Sequence, residues 1–89
     1  MINYKITIIN KLGLHARAAA KFAKTAGNYG SKIQVGNGKS LVDGKSVMSL
    51  MLLAANKGTE LELAIDGNDE HLAFEAICTL INNRFDEDE

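Results

Sequence analysis

Apolar and polar residues alternate from the first positions of the chain. Ile2, Tyr4, Ile6 and Ile8 are separated by Asn3, Lys5 and Thr7. A period of two predicts a strand with one buried face, because successive side chains of an extended chain point to opposite sides. The period breaks over Asn10 to Leu14, where Gly13 predicts a turn. From Ala16 to Ala26 the chain is rich in alanine, a strong helix former. Ala19, Phe22, Ala23 and Ala26 fall on one stripe, and small residues there let a helix lie close to a sheet. Gly27-Asn28 predicts its stop.

Lys32 to Val35 and Lys39 to Val42 read as short strands around Gly36-Asn37-Gly38, residues that tolerate positive φ and so predict a hairpin. A second apolar helix is predicted over about Val47 to Ala54, with Ser46 as its N-cap and Lys57-Gly58 closing the segment. Glu60 to Asp66 alternates again, with Leu61, Leu63 and Ile65 inward. Gly67-Asn68-Asp69 turns into a last helix whose stripe is Leu72, Ala73, Ala76, Ile77, Leu80 and Ile81. The acidic end, Asp86 to Glu89, opposes the dipole of that helix and is expected to fray.

The order is β-α-β-β-α-β-α. If each helix returns the chain across one face, the fourth strand runs opposite to the first two and can pair antiparallel with both. The expected fold class is α/β (α+β): a two-layer open-faced sandwich, a four-stranded antiparallel sheet with three helices on one face. With 89 residues and no repeat or linker, residues 1–89 are expected to form one domain.

The formal charge of −1 gives no field that would draw nucleic acid or a membrane. Tyr4 and Tyr29 make no aromatic strip for single strands. No apolar run is long enough to cross a bilayer; Leu50 to Ala55 is the longest. Cys78 is the only cysteine, which excludes an internal disulfide and fits a reducing compartment, and the N-terminus lacks the apolar core of a signal peptide. The expectation is a cytoplasmic monomer with no membrane insertion and no nucleic acid partner.

Chemistry concentrates in Gly13-Leu14-His15-Ala16-Arg17-Ala18-Ala19-Ala20-Lys21-Phe22. His15 falls at the start of the first helix, where unpaired N–H groups and a partial positive charge favour an anion. Arg17 adds a planar donor suited to phosphate oxygens. A histidine with an ordinary pKa near ~6.5 is largely neutral at neutral pH and can attack phosphorus without a separate base. A lone histidine at a helix start is more often a cap than a nucleophile. The residues around this one reverse that balance.

The stretch resembles the active-site signature of the HPr family, the histidine-containing phosphocarriers of the bacterial phosphoenolpyruvate-dependent phosphotransferase system, whose pattern is close to Gly-Leu-His-Ala/Thr-Arg-Pro-Ala. The resemblance extends to Gly44-Lys45-Ser46-Val47-Met48 and Lys57-Gly58-Thr59 and covers essentially the whole chain. It implies phosphorylation of His15 at Nδ1 by enzyme I, with Arg17 beside it, then transfer to enzyme IIA domains in sugar uptake or its regulation. It implies a carrier component rather than a free-standing enzyme, with no cofactor and no metal. Ala18 stands where the family usually has proline. Alanine keeps the N–H that proline lacks, so the helix is expected to form, with a looser loop before it.

Ser46 matches the position at which some members of the family are phosphorylated by a dedicated kinase/phosphorylase; a plain N-cap is the alternative. Val47, Met48, Leu50, Met51, Leu52 and Leu53 span more than one helical face, so part of the set should remain exposed as a protein-binding patch. The resemblance favours Val47, Met48 and Met51 for that patch, rimmed by Ala16, Arg17, Ala20 and Lys24. A competing reading is a regulatory binding protein of the nitrogen-related or kinase-linked branch, acting by docking alone. His71 has no neighbours at metal-ligand spacing and reads as a surface residue, and Cys78 as a packing residue.

Overall fold

The computed structural model describes residues 1–89. Strand β1 spans Ile2–Thr7, helix α1 Ala16–Gly27, β2 Lys32–Gly36, β3 Leu41–Asp43, α2 Val47–Leu52, β4 Glu60–Asp66 and α3 Glu70–Asn82. A short 3-10 turn at Arg84–Asp86, which the sequence pattern did not predict, follows the last helix. The four strands form one antiparallel sheet in the order β1-β4-β2-β3, with β4 paired to both β1 and β2 as expected.

Register explains why only one face is covered. Ile6 sits opposite Leu61, Ile2 opposite Ile65, Ile33 opposite Ile65 and Val35 opposite Leu63, so the apolar parity of three strands coincides. On the other face Lys5 lies opposite Glu62 and Gln34 opposite Ala64, a parity suited to water. Phe22 is fully buried between α1 and the sheet, and Ala18, Ala19, Ala23 and Ala26 are buried with it. These alanines bring the helix close to the strands, and Phe22 fills the space they leave.

The pattern overreached at two positions. Tyr4 has the inward parity but is about half exposed, because β1 is an edge strand; its ring stands edge-to-face on Phe74 at 5.0 Å. Leu72 is exposed, so the buried stripe of α3 narrows to Ala73, Ile77 and Ile81. Phe85 extends that stripe by one further step and is fully buried beyond the end of the helix.

Two boundaries also moved. The hairpin is wider than its glycine pair suggested, with Asn37 to Ser40 in the loop and β3 beginning only at Leu41. Helix α2 stops at Leu52 rather than Ala54, because Ala54 adopts φ 51 and cannot continue a right-handed helix.

Candidate functional site

His15 is the N-cap of α1, with φ −78 and ψ −179, and its carbonyl accepts the first helical hydrogen bond, from the Ala19 N–H at 2.8 Å. Its side chain makes no capping bond. The N–H groups of Ala16, Arg17 and Ala18 therefore have no protein acceptor. Ala18 does not disturb the helix start, and α1 begins at Ala16.

Gly13 fixes the approach to His15. It has φ +69, and an added Cβ would lie 2.5 Å from the Ala55 carbonyl oxygen and 2.8 Å from Asn56 Cα. The next amide, of Leu14, donates to that same Ala55 carbonyl at 2.8 Å. The loop bearing His15 is thus stitched to the segment that follows α2.

The imidazole and Arg17 line one cleft of about 740 Å³ together with Lys11, Leu12, Ala16, Lys21 and the acidic residues Asp86 to Glu89. The His15 side chain is 27% exposed, so it is neither buried nor loose. Lys11 pairs with Glu89 at 3.1 Å and Lys21 with Asp86 at 3.8 Å. Arg17 is exposed and forms no ion pair, which leaves it the free cation of the cleft.

The acidic end does not fray. It folds back over the start of α1. Arg84, Phe85 and Asp86 take φ of 57, 54 and 63, three left-handed residues in succession that reverse the chain. Phe85 anchors the reversal in the core, and Lys21 Nζ donates to its carbonyl at 2.8 Å. The Lys11 N–H donates to a main-chain oxygen of Glu89. Glu87 reaches both Asn10, whose Nδ2 donates at 3.0 Å, and His15 Nε2. Partial burial pushes the Glu87 carboxyl up. The hydrogen bonds from Asn10 and His15, with the charges of His15 and Arg17, outweigh that and hold it below the ordinary glutamate range. Asn10 itself is fully buried and also donates to the Gly13 carbonyl at 2.8 Å, so it joins tail and loop.

Asn10, Lys11, Lys21 and Glu87 were not singled out from sequence. The usable signal was Phe85, four residues beyond Ile81 on the apolar stripe and set among charges. A large aromatic there has to be covered, and covering it draws the acidic residues inward.

Ser46 caps α2 as expected, its Oγ accepting from the Ser49 N–H at 3.2 Å. Val47, Met48 and Met51 are exposed, as are Ala16, Ala20 and Lys24 on α1. Helices α1 and α2 pack together, so the two exposed groups belong to neighbouring elements. Leu52 and Leu12 are also exposed, at 81% and 65%, and enlarge the apolar surface beyond the residues expected. Leu50 turns inward and is buried. His71 is exposed, no group of three candidate ligands is placed to hold a metal ion, and burial pushes the Cys78 thiol up, away from reactivity. No helix is long and apolar enough to cross a membrane.

An imidazole at a helix start, free amides behind it and one unpaired guanidinium can receive a tetrahedral anion and bond to it. Comparison with known proteins agrees in kind. Residues 2–83 match a family model described as "PTS HPr component phosphorylation site". The chain is 60% identical over 86 residues to the phosphocarrier protein HPr of Pseudomonas aeruginosa, covering 96% of each. Its fold superposes on the crystal structure of an HPr from Thermoanaerobacter tengcongensis with a TM-score of 0.95, at 39% identity and full coverage of both chains. An HPr dimer from the same organism matches at a TM-score of 0.78 and 40% identity, over 98% of this chain and 100% of that one.

Proposed function

The chain belongs to the HPr family of phosphocarriers of the phosphotransferase system, and from that premise we propose that His15 carries the phosphoryl group, taken from enzyme I and passed to enzyme IIA proteins. The observation that carries this reading is the free Arg17 beside a partly exposed imidazole at an uncapped helix start. Every other cation of the cleft is engaged by the acidic tail. An incoming phosphoryl group therefore meets one guanidinium and the amides of Ala16, Arg17 and Ala18. These are donors that bind oxygens without having to be released first. The phosphoramidate formed on an imidazole is reactive enough to be handed on, and an exposed carrier site lets a second protein collect it.

Docking falls to the apolar surface of α2, with Val47, Met48 and Met51 at its centre and Ala16, Ala20 and Lys24 along the rim. Exposed apolar side chains grouped next to a reactive residue suit a carrier that must meet several proteins at one face. Ser46 stands at the edge of that surface. Phosphate there would add about −1.5 to −2 charges at a helix N-terminus, which tolerates them, while changing the field that a docking partner meets. Ser46 is thus the regulatory position of the same face, open to a kinase and a phosphorylase. The protein works in the cytoplasm, in sugar uptake or its control, and as a monomer. The dimer known for an HPr of the same fold makes sedimentation of this chain the check on that last point.

The test mixes the protein with enzyme I and labelled phosphoenolpyruvate. The expected product is labelled on His15, stable to alkali and labile to acid, and absent from His15→Ala. A wild-type protein that takes no label, or takes it equally after His15→Ala, overturns the assignment.

A further inference from the structure

The acidic tail lies outside residues 2–83, which the family model matches, yet it supplies the only hydrogen bond to the His15 ring. We propose that Glu87 is a positioning residue for His15: its carboxylate, itself held by the buried Asn10, accepts the Nε2 proton and so presents Nδ1 as the nucleophilic nitrogen. The inference rests on the reading of His15 as the phosphoryl acceptor.

A neutral imidazole carries one N–H, and the hydrogen bond made at one nitrogen decides which tautomer is present. An ionised carboxylate can only accept. Glu87 on Nε2 therefore selects the Nε2–H form and leaves the lone pair on Nδ1, which has no hydrogen-bond partner. The carboxylate is not a chance neighbour on a loose end. Its second oxygen is taken by Asn10 Nδ2 at 3.0 Å, and its side chain is only 14% exposed. Asn10 is fully buried and also bonded to Gly13, in the loop that carries His15. The tail is held on both sides of Glu87, by Phe85 in the core and by Glu89 on Lys11. Three consecutive left-handed residues are a conformation that L-residues avoid, and it persists here because those anchors outweigh it.

The same contact serves the transfer step. The Nδ1 lone pair forms the new N–P bond while the bond from phosphorus to the donor atom breaks, and the donor atom keeps that electron pair. Nε2 keeps its proton throughout, so the ring of the product carries the positive charge. Glu87 faces that charge directly and stabilises it as it develops. Arg17, on the same cleft, is left to the phosphoryl oxygens.

Glu87→Gln tests this, since glutamine keeps the shape and loses the charge. Imidazole nitrogen chemical shifts, measured above the titration of the ring, should show mostly Nε2–H in the wild type and a mixture of tautomers in the variant. Phosphoryl acceptance from enzyme I should fall about tenfold, and Glu87→Asp should recover part of both. Unchanged tautomers in Glu87→Gln overturn the proposal. So does a faster acceptance rate, which would mean that the carboxylate merely competes with the incoming anion. The tautomer measurement needs no phosphoryl donor. If wild-type His15 takes no label, the carrier reading fails, and the nitrogen shifts still judge Glu87.

Discussion

Helices α1 and α2 both begin from an extended N-cap residue, His15 and Ser46, but they treat their first amides in opposite ways. Ser46 turns its hydroxyl back onto the Ser49 N–H and closes the helix end from within. His15 turns its ring outward and satisfies none of its own amides. A side-chain cap stabilises its helix and leaves one donor fewer for a ligand. An open end leaves donors unsatisfied, and an anion can supply what the cap withholds. The difference marks the start of α1 as the helix end with donors to spare for the phosphoryl group we propose it receives. The exposed apolar side chains of Val47, Met48 and Met51 stand on α2, the helix that caps itself.

Distorting the open end should produce the largest change. Gly13→Ala places a Cβ against the Ala55 carbonyl and the Asn56 backbone at a positive φ. Left-handed strain and overpacking together should cost about 3 kcal/mol, read as a lower midpoint in urea unfolding. Because the same loop carries His15, labelling by enzyme I should fall with it. Arg17→Ala comes next. The side chain is exposed and unpaired, so stability should barely move, while the rate of phosphoryl acceptance should drop about a hundredfold. Arg17→Lys should recover only part of that, since an ammonium cannot offer the two parallel N–H groups of a guanidinium.

The closed end should respond the other way round. Ser46→Ala removes the cap and should cost about 1 kcal/mol of unfolding free energy, with His15 labelled at the wild-type rate. A labelling rate that followed Ser46→Ala downward would mean that the two helix ends do not act separately.

The sequence made most of the fold legible, for a physical reason. Ile6, Leu61, Leu63 and Ile65 alternate because they pair across one sheet, and alternation is a local signal that survives in one dimension. His15 and Arg17 could be singled out because they stand two residues apart at one helix start, within a stretch that resembles the HPr signature. What was not readable depends on long-range contact. Glu87 and Asn10 are 77 residues apart and meet only because Phe85 is drawn into the core. The reversal at Arg84, Phe85 and Asp86 uses none of the glycines or asparagines that usually announce positive φ. Tyr4 failed for a related reason. Parity predicts which face a residue is on, but whether that face is covered at the sheet edge depends on where the helices lie.

The third long helix offers the finest version of the comparison. Its N-cap, Asp69, neither caps α3 with its side chain nor faces a ligand. Its carboxylate crosses to another segment and accepts from the Gly30 N–H at 2.8 Å, the Ser31 N–H at 3.0 Å and the Ser31 hydroxyl. The hydrogen bond from the Ser31 hydroxyl, then that from the Gly30 amide, hold the Asp69 carboxyl below the ordinary aspartate range. A carboxyl depressed in the folded state stabilises the fold fully above its unfolded value, near ~3.9. That contribution is lost as the pH falls from there through the folded value. Stability should therefore decline with acid below that point, by less than any substitution above because the group is solvent-accessible. Urea midpoints measured on descending pH should fall less steeply in Asp69→Asn than in the wild type. The slope should not vanish, because the Glu70 and Glu87 carboxyls are also held low. Identical slopes in the two proteins would mean that Asp69 gives its helix start no acid-sensitive hold on the loop before β2.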